Sequence, residues 1–398
     1  MKDLFFFVYC GMKEEQQTYK SNPFLSIFEE IEDSRNQDLI HYSVPEILYL
    51  LLIGILCGCN ELTVISAFGE EKLYWFRKYY PYKYGIPSHD TLNRVLKMVD
   101  KKKFEKLFIC WVAEHFGLAA DALIHFDGKR LNSSTNKHEQ NKKRSEGGIY
   151  AEIIVNVYAS GAGIVLAQNN VSDKMDEIRG ALELLDWLDL EGCCITGDAN
   201  FCRKNIVAKI ISNKANYLLA LKGHLPTILA ATKKSFEKKE LEKSSFSTEE
   251  TGHGRYEKRD YRAIQKEQLP KVALNYFSEI SQIIEVRRLR IIQRTGKKSE
   301  EIHYYITNLD LPVKEIADKI RRHWSIENNL HYVLDVSYGE DDSRVRKGNG
   351  ASNLSLIRKA SLNILSEFKE KGSIKAKRLR LAISDSKRDN LLEKIMMR

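Results

Sequence analysis

Seven cysteines lie at positions 10, 57, 59, 110, 193, 194 and 202 of a 398-residue chain, an odd number that forms no disulfide framework. A reducing cytoplasm is the expected setting. No Cys or His pairs stand at finger spacing, so a zinc site is not expected and each cysteine reads as a small core filler. Long apolar runs are also lacking. Ile47–Cys57 is well short of the roughly 20 residues a membrane helix needs, and Asn60-Glu61 soon follow, so it reads as a buried helix. Phe5-Phe6-Phe7 near the start lacks a cleavage region, which argues against a signal peptide, and Met12 is an alternative start. No Lys-Ser/Thr follows Gly161-Ala162-Gly163, which excludes a phosphate loop there.

Charge, by contrast, is abundant. Sixty-three Lys and Arg against 54 Asp and Glu leave a formal charge of +9, which suits a polyanionic partner. Between Arg358 and Arg398 stand 12 basic and 5 acidic residues, and Lys142-Lys143-Arg144 forms a second basic run. Taken alone, each run reads equally well as solvated surface. An apolar fraction of 43% over this length supports a sizeable core and two or three domains.

Residues 24–118 carry helical periodicity. Helices are predicted over Val44–Gly58 and Leu62–Tyr79; after the breaker Pro81–Pro87, Ser88 caps a third, and a fourth runs from Lys103 to Phe116. Lys78, Lys83, Arg94 and Lys97 near a turn allow a helix-turn-helix contact with DNA, although a plain bundle is the simpler reading. From residue 119 to 366 the pattern is mixed α/β. Strands are predicted over Leu123–Phe126, Ile149–Tyr158, Ile164–Gln168, Cys193–Gly197 and Asn216–Leu221, with helices between the later ones. The order β-β-β-α-β-α-β is that of a ribonuclease H-like fold. A β-rich insertion occupies about 223–312, including a charged helical run over Lys233–Lys243, and a long helix follows over 313–335. Residues 1–23 form an N-terminal extension and 367–398 a basic C-terminal tail.

Asp127 and Asp198 stand at predicted strand ends, and Glu327 lies on the long helix. Carboxylates drawn together repel by about 4 kcal/mol per pair at roughly 4 Å and an effective dielectric of about 20, so a cation must hold them. An all-oxygen set suits Mg²⁺, with Mn²⁺ as substitute, and two such ions could clamp an in-line phosphoryl displacement. Lys129, Arg321, Arg322, Arg344 and Arg346 flank the trio as phosphate contacts. From spacing alone the trio is a weak signal, because 54 acidic residues offer many accidental trios. His323, Glu327 and His331 share one helix face, yet the zinc-peptidase pattern of two His four apart with Glu beside the first is absent. His323 and His331 therefore read as structural or phosphate-facing. Trp324 offers a stacking surface for an unpaired base, but the core is its simpler place. Glu340-Asp341-Asp342 reads as a solvated turn.

Around these residues the chain resembles bacterial insertion-sequence transposases of the DDE class, in the group containing the H-repeat-associated proteins. The resemblance is carried by Phe126-Asp127-Gly128-Lys129, Val171-Ser172-Asp173-Lys174, Ile195-Thr196-Gly197-Asp198-Ala199, Leu219-Ala220-Leu221-Lys222-Gly223, His253-Gly254-Arg255-Tyr256-Glu257 and the run His323–Val336. Gly85-Ile86-Pro87-Ser88-His89-Asp90-Thr91 is similar to the signature of the associated N-terminal domain, so the likeness spans roughly residues 24–366. It implies Asp127, Asp198 and Glu327 as metal-binding catalytic residues, DNA cleavage and strand transfer as the chemistry, and double-stranded DNA as the partner, both terminal inverted repeats and target. It also implies a homodimer on DNA, no membrane, a nucleoid location and N-terminal helices that recognise element ends. Related enzymes place Tyr, Arg and Lys where this chain has Ile320, His323 and Leu334, with Arg322 or His323 as substitutes. After the second Asp, Ala199-Asn200-Phe201-Cys202-Arg203 replaces the usual Ala-Met-Gly-x-Gln. A catalytically decayed DNA-binding remnant and a ribonuclease H-like nuclease without strand transfer are the competing readings.

Overall fold

β-Branched, aromatic and amide side chains fill the two strands Ile153–Ala159 and Ile164–Val171, and every residue of both is buried. Strands covered on both faces in this way belong to the middle of a molecule. The computed structural model describes residues 25–36, 38, 40–132, 152–171, 174–238, 244–252 and 254–397. The Lys142-Lys143-Arg144 run, Ser172-Asp173, His253 and the N-terminal extension lie outside the described residues.

Among the described residues, nine strands form one mixed sheet: β1 Leu123–Arg130, β2 Ile153–Ala159, β3 Ile164–Val171, β4 Cys194–Gly197, β5 Asn216–Leu221, β6 Ser244–Gly252, β7 Arg255–Gln265, β8 Gln282–Ile292 and β9 Lys298–Thr307. Their spatial order is β3-β2-β1-β4-β5-β9-β8-β7-β6. β1 to β3 are antiparallel, β1, β4 and β5 run parallel, and β9 joins β5 antiparallel. The β-rich stretch thus continues the same sheet beyond β5. β1 does not stop at Phe126. It runs on through Asp127 to Arg130, because β2 keeps pairing with it after β4 has ended at Gly197.

The helical segment before β1 is built around Val44–Leu56. Ser43 opens it with a capping box: its Oγ accepts from Glu46 N, while Glu46 Oε2 accepts from Ser43 N at 2.9 Å. The helix is apolar all round and accordingly buried all round, packing on the long helix Gly350–Ser366. At Gly54 a Cβ would come within 2.9 Å of Ile65, so glycine lets the next helix approach closely. The single helix expected over Leu62–Tyr79 is broken at Lys72 into Leu62–Glu71 and Leu73–Phe76.

The stretch expected as a basic tail folds back as two helices, Ile374–Ile383 and Asp385–Met396. Two of its cations, Arg378 and Arg388, are buried, while Lys369, Lys371, Lys375, Arg380 and Lys394 stay exposed. Arg378 is buried, donates to Ile55 O at the end of Val44–Leu56 and to Asn60 Oδ1, and stacks 4.0 Å from the Tyr338 ring centroid. Arg388, also buried, pairs with Asp385 and lies over Trp75. The long helix expected over 313–335 appears as Val313–His323, a π-helical turn at Glu327–His331 and a further helix at Tyr332–Tyr338. Among the described residues, no helix is long and apolar enough to cross a membrane.

Candidate active site

In the parallel ladder, Phe126 on β1 stands beside Gly197 on β4, so Asp127 and Asp198 are the next residues at the same end of neighbouring strands. Asp198 leaves the sheet as the cap of a short turn, its Oδ1 accepting from Asn200 N at 2.8 Å. Glu327 opens the π-helical turn, a geometry that is rare in proteins and frequent at functional sites. His331, at the end of that turn, is buried and places Nδ1 3.4 Å from both Asp127 Oδ2 and Glu327 Oε2. One ligand atom each from Asp127, Glu327 and His331 fall within 4.8 Å of one another. Asn156 of β2 meets the other imidazole nitrogen at 3.3 Å.

The electrostatics follow from this crowding. Burial, together with the charges of Asp198 and Glu327, pushes the Asp127 carboxyl up to about 6 even though His331 opposes the shift. Glu327 is held below the ordinary carboxylate range, chiefly by its hydrogen bond with His331. An acid kept from ionising by burial, and further by its acidic neighbours, is the donor chemistry a divalent cation relieves, so the residues present fit such an ion.

Glycine at position 128 leaves room for Glu177, whose carboxylate would have to shift to admit a Cβ there. Glu177 is buried on the helix Lys174–Trp187, and its Oε2 also accepts from Asn200 Nδ2 at 3.4 Å. It therefore links the segments that carry the two aspartates.

Lys129 does not face a phosphate. Its side chain is 12% exposed and its ammonium is held by Asp335 and, at 2.9 Å, by Glu340. Glu340, far from a solvated turn, is 1% exposed, accepts from Ser355 Oγ at 2.7 Å and is driven down to about 2 by Lys129 and Lys359 against its burial. Asp341 and Asp342 are exposed as expected.

Other candidates divide by surroundings. Arg321 reaches Glu250 of β6 at 2.6 Å, and Arg322 lies 3.8 Å from Asp318. Arg344 and Arg346 are exposed. Trp324 is 57% exposed, not in the core, because the helix carrying Ile316 and Ile320 ends at His323. His323 turns toward Thr196, away from His331, so the face shared in sequence does not become a zinc stripe. Ile320 and Leu334 are buried core residues and present no polar group to the site. Sequence reasoning missed Glu177, Asn156 and Thr196 as neighbours of the site. Only the helical spacing of His331 from Glu327 gives a signal, and from the sequence it reads as a zinc, structural or phosphate-facing histidine rather than a partner of Asp127.

Residues 121–364 match the Transposase DDE domain family, and residues 25–112 match the DDE_Tnp_1-associated family. The chain belongs to the DDE transposases. It is similar to the "Putative transposase YncI" of Escherichia coli O157:H7, at 37% identity over 361 residues, covering 89% of this chain and 90% of that one. The "H repeat-associated putative transposase YhhI" of Escherichia coli K12 is 32% identical over 347 residues, covering 85% and 89%. Among solved structures, a piggyBac transposase synaptic complex with hairpin DNA aligns over 94% of this chain and 78% of that one, with TM-score 0.45 and 12% identity.

Proposed function

We propose that this transposase cuts DNA at the ends of its own element and joins those ends to target DNA, with Asp127, Asp198 and Glu327 as the metal-holding catalytic residues. The observation that carries the reading is the convergence of Asp127, Glu327 and His331 within 4.8 Å at the sheet end where Asp198 also emerges. Asp127, Asp198 and Glu327 would hold Mg²⁺, or Mn²⁺ in its place, which when bound would supply Lewis-acid stabilisation of charge on the phosphoryl oxygens. Within the chain, Glu177 and Gly128 hold the aspartate segments together, and the Lys129 ion pairs tie β1 to the segment after Glu327.

The strand order β3-β2-β1-β4-β5 supports a ribonuclease H-like core. Arg321, Arg322, His323, Trp324, Arg344 and Arg346 are the phosphate- and base-facing residues of this reading, and Lys129 drops out of that set. The helices before β1 help to recognise element ends, and two copies assemble on a pair of ends in the bacterial nucleoid.

The test is cleavage and strand joining of DNA carrying the element ends, in Mg²⁺, by the purified chain. Asp127→Ala, Asp198→Ala and Glu327→Ala should each remove both reactions while sparing DNA binding, and full activity in any of them overturns the assignment. Cleavage without joining would favour a nuclease, and binding without either a decayed remnant. Light scattering of the end complex should give two copies per pair of ends.

A further inference from the structure

Thr196 of β4 lies beside His125 of β1 in the parallel ladder, one residue before the strand positions that lead into the two aspartates. Its hydroxyl is shared. Oγ1 is 2.6 Å from His125 Nδ1 and 2.8 Å from His323 Nδ1, and both His125 and Thr196 are completely buried. The imidazole of His323 comes from the helix just before Glu327, so this hydroxyl joins β1, β4 and that helix directly behind the acidic site.

A threonine hydroxyl carries one proton and accepts two. Its third neighbour, Ile124 O, is 3.4 Å away, beyond the ordinary range of about 2.5–3.0 Å for an O–H···O bond, so the proton goes to one of the two histidines. Whichever ring accepts that proton is unprotonated at Nδ1 and therefore neutral, with its own proton on Nε2.

Two arrangements are then open. If the hydroxyl donates to His125, that ring is protonated at Nε2, which is buried and has no hydrogen-bond partner. If it donates to His323, His125 donates through Nδ1 and only an unused lone pair is left at its Nε2. A buried orphan N–H is the rarer and costlier defect. The second arrangement wins, and it places the His323 proton on Nε2.

We infer that the chain His125 Nδ1–H to Thr196 Oγ1–H to His323 Nδ1 fixes His323 as a neutral N–H donor to a non-bridging oxygen of the DNA phosphodiester beside Asp198. Nε2 of His323 has no hydrogen-bond partner among the described residues, and the Asp198 carboxylate is near enough to act on the ring. In this reading, which rests on the site cleaving DNA, His323 is the catalytic residue and Thr196 and His125 are positioning residues.

The experiment is two-bond proton–nitrogen correlation NMR on the full chain labelled at histidine, with His323→Asn to assign the signal. His323 should be the Nε2-protonated tautomer and His125 the Nδ1-protonated one; a His323 proton on Nδ1 overturns the inference, and this readout needs no variant of Thr196 to fold. In single-turnover cleavage, Thr196→Val should be slower by roughly 10–100-fold at unchanged DNA affinity, with Thr196→Ser restoring most of the rate. An undiminished rate in Thr196→Val also overturns it. Should Asp127→Ala still cleave, the site assignment fails instead, whatever the tautomer.

Discussion

Two acidic clusters lie two residues apart along β1, and the chain treats them oppositely. At Lys129 the protein supplies its own cation: the ammonium meets Asp335 and Glu340, and buried Glu340 is held as a carboxylate down to about 2. At Asp127 it supplies only an imidazole, and the carboxyl is pushed up to about 6. Burying charge is tolerable only where an opposite charge meets it. The first cluster is complete and structural. The second has a charge deficit that an external cation would fill, which is what separates an architectural ion pair from a site.

The strongest way to break this comparison is to remove the acids of the second cluster. Asp127→Ala, Asp198→Ala or Glu327→Ala should each lower end cleavage by roughly three orders of magnitude or more, about 4 kcal/mol of transition-state stabilisation. Urea unfolding of the same variants should show little loss. The reverse pattern is expected at the first cluster: Lys129→Met removes the ion-pair partner of buried Glu340, leaving it to Lys359 nearby, and should cost about 3 kcal/mol in urea unfolding, with the Lys129→Met/Glu340→Gln double variant recovering part of it.

Acid separates the clusters without mutation. Asp127 is raised from its ordinary 3.8 to about 6, so its ionisation opposes folding as pH rises through that window and metal-free stability should fall there. Ion affinity should change the other way, weakening as pH drops below about 6 because protons compete for the ligand. Glu340 is depressed from 4.5 to about 2, so its contribution is intact above about 4.5 and lost as pH falls toward 2. Metal titrations by calorimetry at pH 5 and pH 7, beside thermal melts without metal, would expose a single shared titration if the distinction is false. The smallest effect is expected at the surface: Arg344→Ala should reduce the salt slope of DNA binding by about one, uniformly across sequences.

Much of this was legible from residues alone. Asn216–Leu221 has the bounds expected of it, because a short apolar run between polar residues has little freedom. The sequence places Asp127 and Asp198 at strand ends, and the ladder pairing of Phe126 with Gly197 brings them to one end of the sheet, although β1 itself runs on through Asp127. β6 was not legible. As the exposed edge of the sheet, Ser244–Gly252 has no buried face to impose alternation. The partners of Lys129 lie 206 and 211 residues away, and spacing carries no information over that distance. Trp324 follows Ile316 and Ile320 at core spacing, yet the helix ends before it and turns it outward. Arg378 and Arg388 read as solvated charge because their acceptors include backbone carbonyls, to which no sequence pattern points.

Paramagnetic Mn²⁺ binding measured by electron spin resonance tests the central distinction most directly. The wild-type chain should bind the ion at neutral pH, Asp127→Asn should lose that site, and Glu340→Gln should keep it at wild-type affinity. Equal binding by Asp127→Asn and the wild type would contradict the account.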